Sequence, residues 1–109
     1  MTYATIYKNS HNSEIVGFKT EGHAGYAEEG SDIVCAAVSM LVINTINSIE
    51  QFTDTTFDLQ TDEEEAMISF MVTSKQNAET QVLLKALELG LTQASVGNAD
   101  YLSIKIEEV

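Results

Sequence analysis

One cysteine and the aspartate before it are the residues of this sequence best placed for nucleophilic chemistry. Cys35 is the single cysteine, and it follows Asp32 at the start of an apolar, alanine-containing segment. If Asp32 is the N-cap of a helix, Cys35 stands in the first turn, where unpaired N–H groups and the helix dipole stabilise a thiolate. Because the thiolate is the nucleophilic form of cysteine, this position favours an activated nucleophile.

A histidine upstream of the cysteine is the candidate general base. His23 follows a predicted strand, with Gly22 before it and Gly25 two residues after it. Glycines allow the tight turn that would bring a strand-end imidazole across a loop to the helix start. A lone cysteine in an apolar helix is often inert and a lone turn histidine often idle, so the spacing leaves catalytic and structural roles open.

Two further polar residues share the predicted helix with the cysteine. Asp32 is expected to cap the helix, and its second carboxylate oxygen could also orient His23. Ser39 lies one helical turn after Cys35, on the same face. Its hydroxyl could bond back to the Cys35 carbonyl or act in the site, and the sequence leaves both roles open.

The hydrophobic pattern predicts the elements that must hold these residues. Alternating apolar positions predict five strands, near residues 2–8, 14–20, 56–61, 66–73 and 101–107. Two helices are expected, from Asp32 to about Gln51 and from Ser74 or Asn77 to a C-terminal glycine at Gly90. Glycine-rich residues 22–31 are expected to form a loop, and the acidic residues 62–65 a solvated turn without a role.

The resulting order, ββαββαβ, defines the expected fold class. It predicts a single domain over residues 1–109 of the α/β (α+β) class, a two-layer domain with a mostly antiparallel sheet of about five strands and two helices. The first helix is apolar around almost its full circumference, so we expect burial on several sides, by extra structure or by a dimer interface.

Charge and composition exclude several classes of function. The 109 residues include 5 lysines, no arginine and 17 acidic residues, for a net charge of −12. Such a chain lacks the basic surface that nucleic acids require, whereas it attracts basic partners. One cysteine cannot build an internal disulfide or a thiolate cluster, and we expect neither cofactor nor metal.

The same sequence favours a cytoplasmic protein that does not contact a membrane. Residues 1–10 lack the basic and then apolar pattern of a signal peptide. The uncharged segment from Ile33 to Ile49 is purely apolar only to about Ile43. That length is short of the roughly 20 residues of a membrane span, so we expect a buried helix.

The spacing Gly-His-x-Gly at 22–25 and Asp-x-x-Cys-x-x-x-Ser at 32–39, with Gly30 between them, resembles the ribosomal-processing cysteine proteases called Prp. The resemblance extends along the whole chain. It implies a catalytic His23, a nucleophilic Cys35, and Asp32 and Ser39 as supporting active-site residues. It also implies a loop over residues 24–31 that becomes ordered on substrate binding, and Gly22, Gly25 and Gly30 as glycines of the substrate-binding segment.

The resemblance also implies a substrate and an assembly. Members of the family are homodimers that remove the N-terminal extension of large-subunit ribosomal protein number twenty-seven, after a motif with paired phenylalanines, during ribosome maturation. The basic ribosomal protein suits the acidic chain. Two other interpretations stay open at the level of residues: a non-catalytic ribosome-assembly or binding module of the same fold, and another thiol chemistry, although a redox role lacks a resolving cysteine in this chain.

Overall fold

The fold consists of one mixed sheet and two long helices. A computed structural model describes residues 1–22 and 29–109, with residues 29–32 described by their helical backbone alone. The elements are β1 (Thr2–Lys8), β2 (Ile15–Glu21), α1 (Glu29–Phe52), β3 (Phe57–Asp62), β4 (Met67–Val72), α2 (Ala78–Val96) and β5 (Leu102–Glu108). The predicted order ββαββαβ is confirmed.

The five strands form one sheet in the order β3-β4-β2-β1-β5. Neighbouring strands are antiparallel except for the parallel pair β1–β5. The predicted hairpin of β1 and β2 is confirmed, and its turn is closed by the Asn9 N–H, which donates to the Glu14 carbonyl at 2.8 Å. The sheet is therefore mostly antiparallel, as the sequence predicts.

A single apolar core lies between one face of the sheet and the two helices. On β1, Ala4 and Ile6 are buried whereas Tyr3 is exposed, so alternate residues face the helices. Phe18 of β2 and Phe70 of β4 are fully buried and stack with ring centroids 4.9 Å apart. Because β1 and β2 are antiparallel, the start of β1 and the end of β2 lie at the same end of the sheet.

Within the described chain the first helix is buried along one stripe, so the other described elements do not cover its remaining sides, and burial in a dimer interface stays a prediction. Its segment Ile33–Phe52, of 20 residues, is by length and composition alone able to cross a membrane. A core helix passes the same test, and a stripe of α1 packs in the core: Val34, Val38, Val42, Ile46 and Ile49. The opposite face leaves apolar side chains exposed, above all Ile33 and Met40, each 72% exposed.

The first helix also begins earlier than predicted. It starts at Glu29, so Asp32 lies within the first turn rather than at the N-cap, and Gly30 lies in the helix rather than in a loop. An acidic residue is favourable in the first turn of a helix, whereas glycine weakens a helix by only about 1 kcal/mol. The loop predicted over residues 22–31 from its glycines is therefore too long at its C-terminal end. Residues 23–28 lie outside the described part of the chain.

The second helix begins where the sequence predicts and ends later. Asn77 is the N-cap, and its side-chain oxygen accepts the Thr80 N–H at 2.8 Å. The prediction that Gly90 ends this helix is wrong, since α2 continues to Val96 and Gly97 follows as the C-cap. Gly90 instead lies against α1: a Cβ there would come within 3.3 Å of the Leu41 Cδ2 atom. Close packing of the two helices thus explains this glycine.

Candidate active site

A cleft of about 350 Å³ opens at the end of the sheet where β1 begins and β2 ends. It lies between α1 and the turn that joins β3 to β4. Its lining residues come from four strands, that turn and the first half of α1: Thr2, Thr20, Glu21, Gly22, Cys35, Val38, Ser39, Thr61, Asp62, Glu63, Ala66, Met67 and Ile68.

Two of the predicted site residues reach this cleft from α1. Cys35 and Ser39 stand one helical turn apart, both line the cleft, and both are partly exposed. Val38, between them, is buried and joins the cleft to the core. The spacing of four residues therefore brings a thiol and a hydroxyl to one wall of the same cleft.

The start of α1 at Glu29 changes how the cysteine is expected to be activated. Cys35 is the seventh residue of the helix and lies in its second turn, not in its first. At that position the backbone N–H is used within the helix, and the dipole effect falls off beyond the first turn. The helix end is therefore a weaker source of thiolate stabilisation and of oxyanion-binding N–H groups than the sequence predicts.

Gly22 brings the chain to the cleft at the residue before His23. Its φ is +107°, a value that residues other than glycine rarely adopt, and a Cβ there would collide with the Met1 carbonyl oxygen. Its N–H donates to the Glu65 carbonyl at 3.2 Å. Gly22 is therefore required for the close approach of β2, β1 and the β3–β4 turn, next to the position where His23 follows.

The remaining predicted site residues lie outside the described side chains. His23 and Gly25 belong to the part of the chain that the structure leaves undescribed. Asp32 and Gly30 are described as helical backbone only. The proposed contact of His23 with Cys35, and the proposed role of Asp32 beside it, remain predictions.

The acidic β3–β4 turn contributes to the cleft, which its sequence does not indicate. Asp62 and Glu63 line the cleft, although the turn was expected to have no role. The Asp62 carboxylate orders this turn by accepting the N–H groups of Glu64 and Glu65, at 3.0 and 3.3 Å. The turn reaches the site because β4 pairs with β2, with Thr20 opposite Ile68, and no local sequence signal specifies that pairing.

The charge of the cleft is one-sided. Three carboxylate residues line it, namely Glu21, Asp62 and Glu63, and none of the described lining residues is basic. Lys19 lies outside the lining, with its Nζ 3.5 Å from a Glu21 carboxylate oxygen. Apolar side chains, including Met67 and Ile68, form another part of the wall. Such a cleft suits a ligand that combines apolar groups with positive charge.

Within residues 1–22 and 29–109, no group of three or more His, Cys, Asp or Glu side chains is arranged to hold a metal ion. The described lining of the cleft combines a partly exposed thiol with hydroxyl and carboxylate groups.

Comparison with known proteins gives this arrangement a context. The family model for cysteine protease Prp matches residues 1–103. Over 49 residues the chain is 43% identical to the ribosomal processing cysteine protease Prp of Bacillus subtilis, an alignment that spans 45% of this chain and 43% of that protein. A crystal structure of a Streptococcus mutans protein is similar with a TM-score of 0.87 and 33% identity, over 100% of this chain and 96% of that one.

A second solved structure is similar in fold. It is the essential ribosomal processing protease Prp from Staphylococcus aureus in complex with a substrate peptide. The TM-score is 0.91 at 21% identity, and the match covers 98% of this chain and 100% of that chain.

Proposed function

The chain belongs to the cysteine protease Prp family, and on that premise we propose that it is a cysteine endopeptidase that cleaves a ribosomal protein. The observation that carries the proposal is the shared cleft: Cys35, Ser39 and Gly22, the residue before His23, line one cavity. The candidate nucleophile Cys35 and Gly22, the residue before the candidate base, thus line one cavity with room for a ligand.

The proposed reaction is acyl transfer by a Cys35–His23 pair. His23 removes the thiol proton, and the Cys35 sulfur attacks the scissile carbonyl carbon to form a tetrahedral intermediate. The intermediate collapses to a thioester as the C–N bond breaks, and His23 gives its proton to the leaving amine. Water then attacks the thioester, which releases the new carboxylate and restores the thiol.

The proposed substrate is the N-terminal extension of large-subunit ribosomal protein number twenty-seven, cleaved after a motif with paired phenylalanines. The apolar side chains of Met67 and Ile68 suit the apolar side chains of such a motif. The carboxylates of Asp62 and Glu63 suit a positively charged substrate protein. Removal of this extension during ribosome maturation, in the cytoplasm, is the biological role that we propose.

We further propose that the protein acts as a homodimer. The exposed side of α1 carries a contiguous set of apolar residues, here called the α1 apolar face: Ile33, Ala36, Ala37, Met40 and Ile43. Exposed apolar patches of this kind are typical of interaction surfaces. The patch lies on the same half of the helix as Cys35, so a partner copy seated there would border the cleft.

Replacement of the nucleophile tests the proposed activity. We expect Cys35→Ala and Cys35→Ser to abolish cleavage of a peptide that spans the paired-phenylalanine motif, because neither variant keeps the thiolate. Both changes are small and at a partly exposed position, so the circular dichroism spectrum and Tm should stay close to those of the wild type. Mass spectrometry of the peptide products measures the cleavage.

A matched pair of histidine variants tests the base. His23→Ala should lower the rate of cleavage by about two to four orders of magnitude. His11→Ala is the control, since His11 is exposed in the β1–β2 turn, at the other end of these strands from the cleft. Normal turnover by Cys35→Ala would show that the chain is no cysteine protease and would favour a binding module of the same fold.

A further inference from the structure

One residue that lines the cleft carries a buried hydroxyl without a hydrogen-bond partner among the described residues. Thr2 is 4% exposed, and its Oγ1 is itself buried. Three other buried threonines differ: the Thr45 hydroxyl donates to the Leu41 carbonyl at 2.8 Å, and the hydroxyls of Thr55 and Thr80 bond to each other. The buried, unpaired hydroxyl of Thr2 therefore calls for an explanation.

The fold itself has no need of this hydroxyl. The Thr2 backbone is held by its N–H, which donates to the Tyr101 carbonyl at 2.8 Å, and by its place in the β1–β5 ladder. The next residues on the same face of β1 are Ala4 and Ile6, both apolar and buried. A valine at position 2 would fill the same volume and avoid the free energy cost of an unpaired buried hydroxyl.

The position of Thr2 relates the hydroxyl to the proposed reaction. Thr2 lines the same cleft as Cys35 and Ser39. It also lies against Gly22, since a Cβ on that glycine would come within 3.4 Å of the Thr2 Cα atom. Thr2 therefore stands beside the residue that precedes His23, on the strand that borders the cleft.

We propose that the Thr2 hydroxyl is a substrate-binding group that donates a hydrogen bond to a backbone carbonyl of the bound peptide. A hydroxyl supplies one donor, and peptide carbonyls are the acceptors that any peptide brings into the cleft. Rotation about χ1 of Thr2 would bring the buried hydroxyl to the surface of the cleft on binding, and the bond that the fold leaves unmade is then completed. The inference rests on the proposed function, because it takes a peptide as the ligand.

The test measures peptide binding without cleavage. The Cys35→Ala protein is titrated calorimetrically with a synthetic peptide that carries the paired-phenylalanine motif, and the same titration is made with Thr2→Val, Thr2→Ser and Thr45→Val added. We expect Thr2→Val to raise Kd by about five- to fiftyfold, because the peptide carbonyl loses its donor. Thr2→Ser keeps the hydroxyl and should restore most of the affinity.

The matched control and a stability measurement separate binding from folding. Thr45→Val removes a hydroxyl of the same type from a buried site outside the cleft, so its Kd should equal that of the parent. Thermal melting should show Tm unchanged or raised for Thr2→Val, whereas a structural hydroxyl would give a lower Tm in Thr2→Val than in Thr2→Ser, which keeps it.

Each outcome bears on a different claim. An unchanged Kd for Thr2→Val, or a Kd raised as much by Thr2→Ser as by Thr2→Val, overturns the role of the Thr2 hydroxyl and leaves the proposed protease intact. Absence of any peptide binding by the Cys35→Ala protein overturns the proposed substrate, and the inference about Thr2 with it. In cleavage assays with intact Cys35, the supporting result is a raised KM with kcat nearly unchanged.

Discussion

At the scale of residues, the position of Cys35 in the second turn of α1 shifts the question of how the thiol is activated. The start of α1 lies six residues before Cys35, more than one turn away, so the proposed activation depends more on neighbouring groups than on the helix dipole. In the proposed mechanism that contribution comes from His23, with Ser39 on the same wall of the cleft. Cys35 is partly exposed and therefore accessible to substrate, unlike an inert core cysteine.

Carboxylate side chains lie at the edge of the cleft. Glu63 is exposed and lines the cleft, and none of the described lining residues is basic. Carboxylates placed in this way accelerate the encounter with a positively charged substrate more than they strengthen the bound complex.

We predict that Glu63→Gln lowers kcat/KM for the full-length ribosomal protein by about two- to fivefold at low ionic strength, because one attractive charge is lost. The difference from the wild type should vanish as salt screens the charges. Stopped-flow or steady-state assays over a salt series measure it. Glu108→Gln is the control, since Glu108 is exposed at the far end of β5. An equal loss in both variants would refute a local role of Glu63.

At the scale of elements, the cap of α2 illustrates how local sequence and tertiary contacts combine. Asn77 caps the helix through the Thr80 N–H, and its Nδ2 also donates to the Thr55 hydroxyl at 2.8 Å. Thr55 precedes β3, so one side chain joins the start of α2 to the strand that leads into the acidic turn.

We predict that Asn77→Ala lowers the free energy of unfolding by about 1–2 kcal/mol, because the first turn loses its capping acceptor. Asn77→Asp keeps the acceptor and should recover most of the loss, although it no longer donates to Thr55. Urea denaturation monitored by circular dichroism gives both values. If Asp destabilises as much as Ala, the bond to Thr55 and not the cap is the important contact.

The α1 apolar face and the net charge of −12 have opposite effects on the self-association of the molecule. Like charges disfavour self-association, whereas exposed Ile33 and Met40 favour it. Apolar burial dominates at short range, since charges on the surface are screened by salt. A dimer through the uncharged part of α1 is consistent with both features.

We predict that Met40→Glu converts the proposed dimer to a monomer, because a charge in the centre of an apolar interface is costly to desolvate. Light scattering after size-exclusion chromatography measures the mass. Val82→Glu is the matched control, because Val82 is 65% exposed on α2, outside the α1 apolar face. A wild-type protein that elutes as a monomer contradicts the proposed dimer, and an equal effect of both variants contradicts the interface.

Local patterns in the sequence determined the order of the elements and several of their ends. The hairpin of β1 and β2 and the cap at Asn77 depend on residues close in the chain, so their signals can be detected without any tertiary contact. The pairing of a cysteine with a serine one turn later on the same face follows from helix geometry alone.

Tertiary structure decided what depends on contacts between distant residues. Gly90 lies within α2 because Leu41 of α1 packs against it, although glycine alone indicates a helix end. The acidic turn borders the cleft because β4 pairs with β2, and Thr2 enters the site because β1 lies on the other side of β2. Such neighbours are set by the packing of the whole sheet, which no short segment of the sequence encodes.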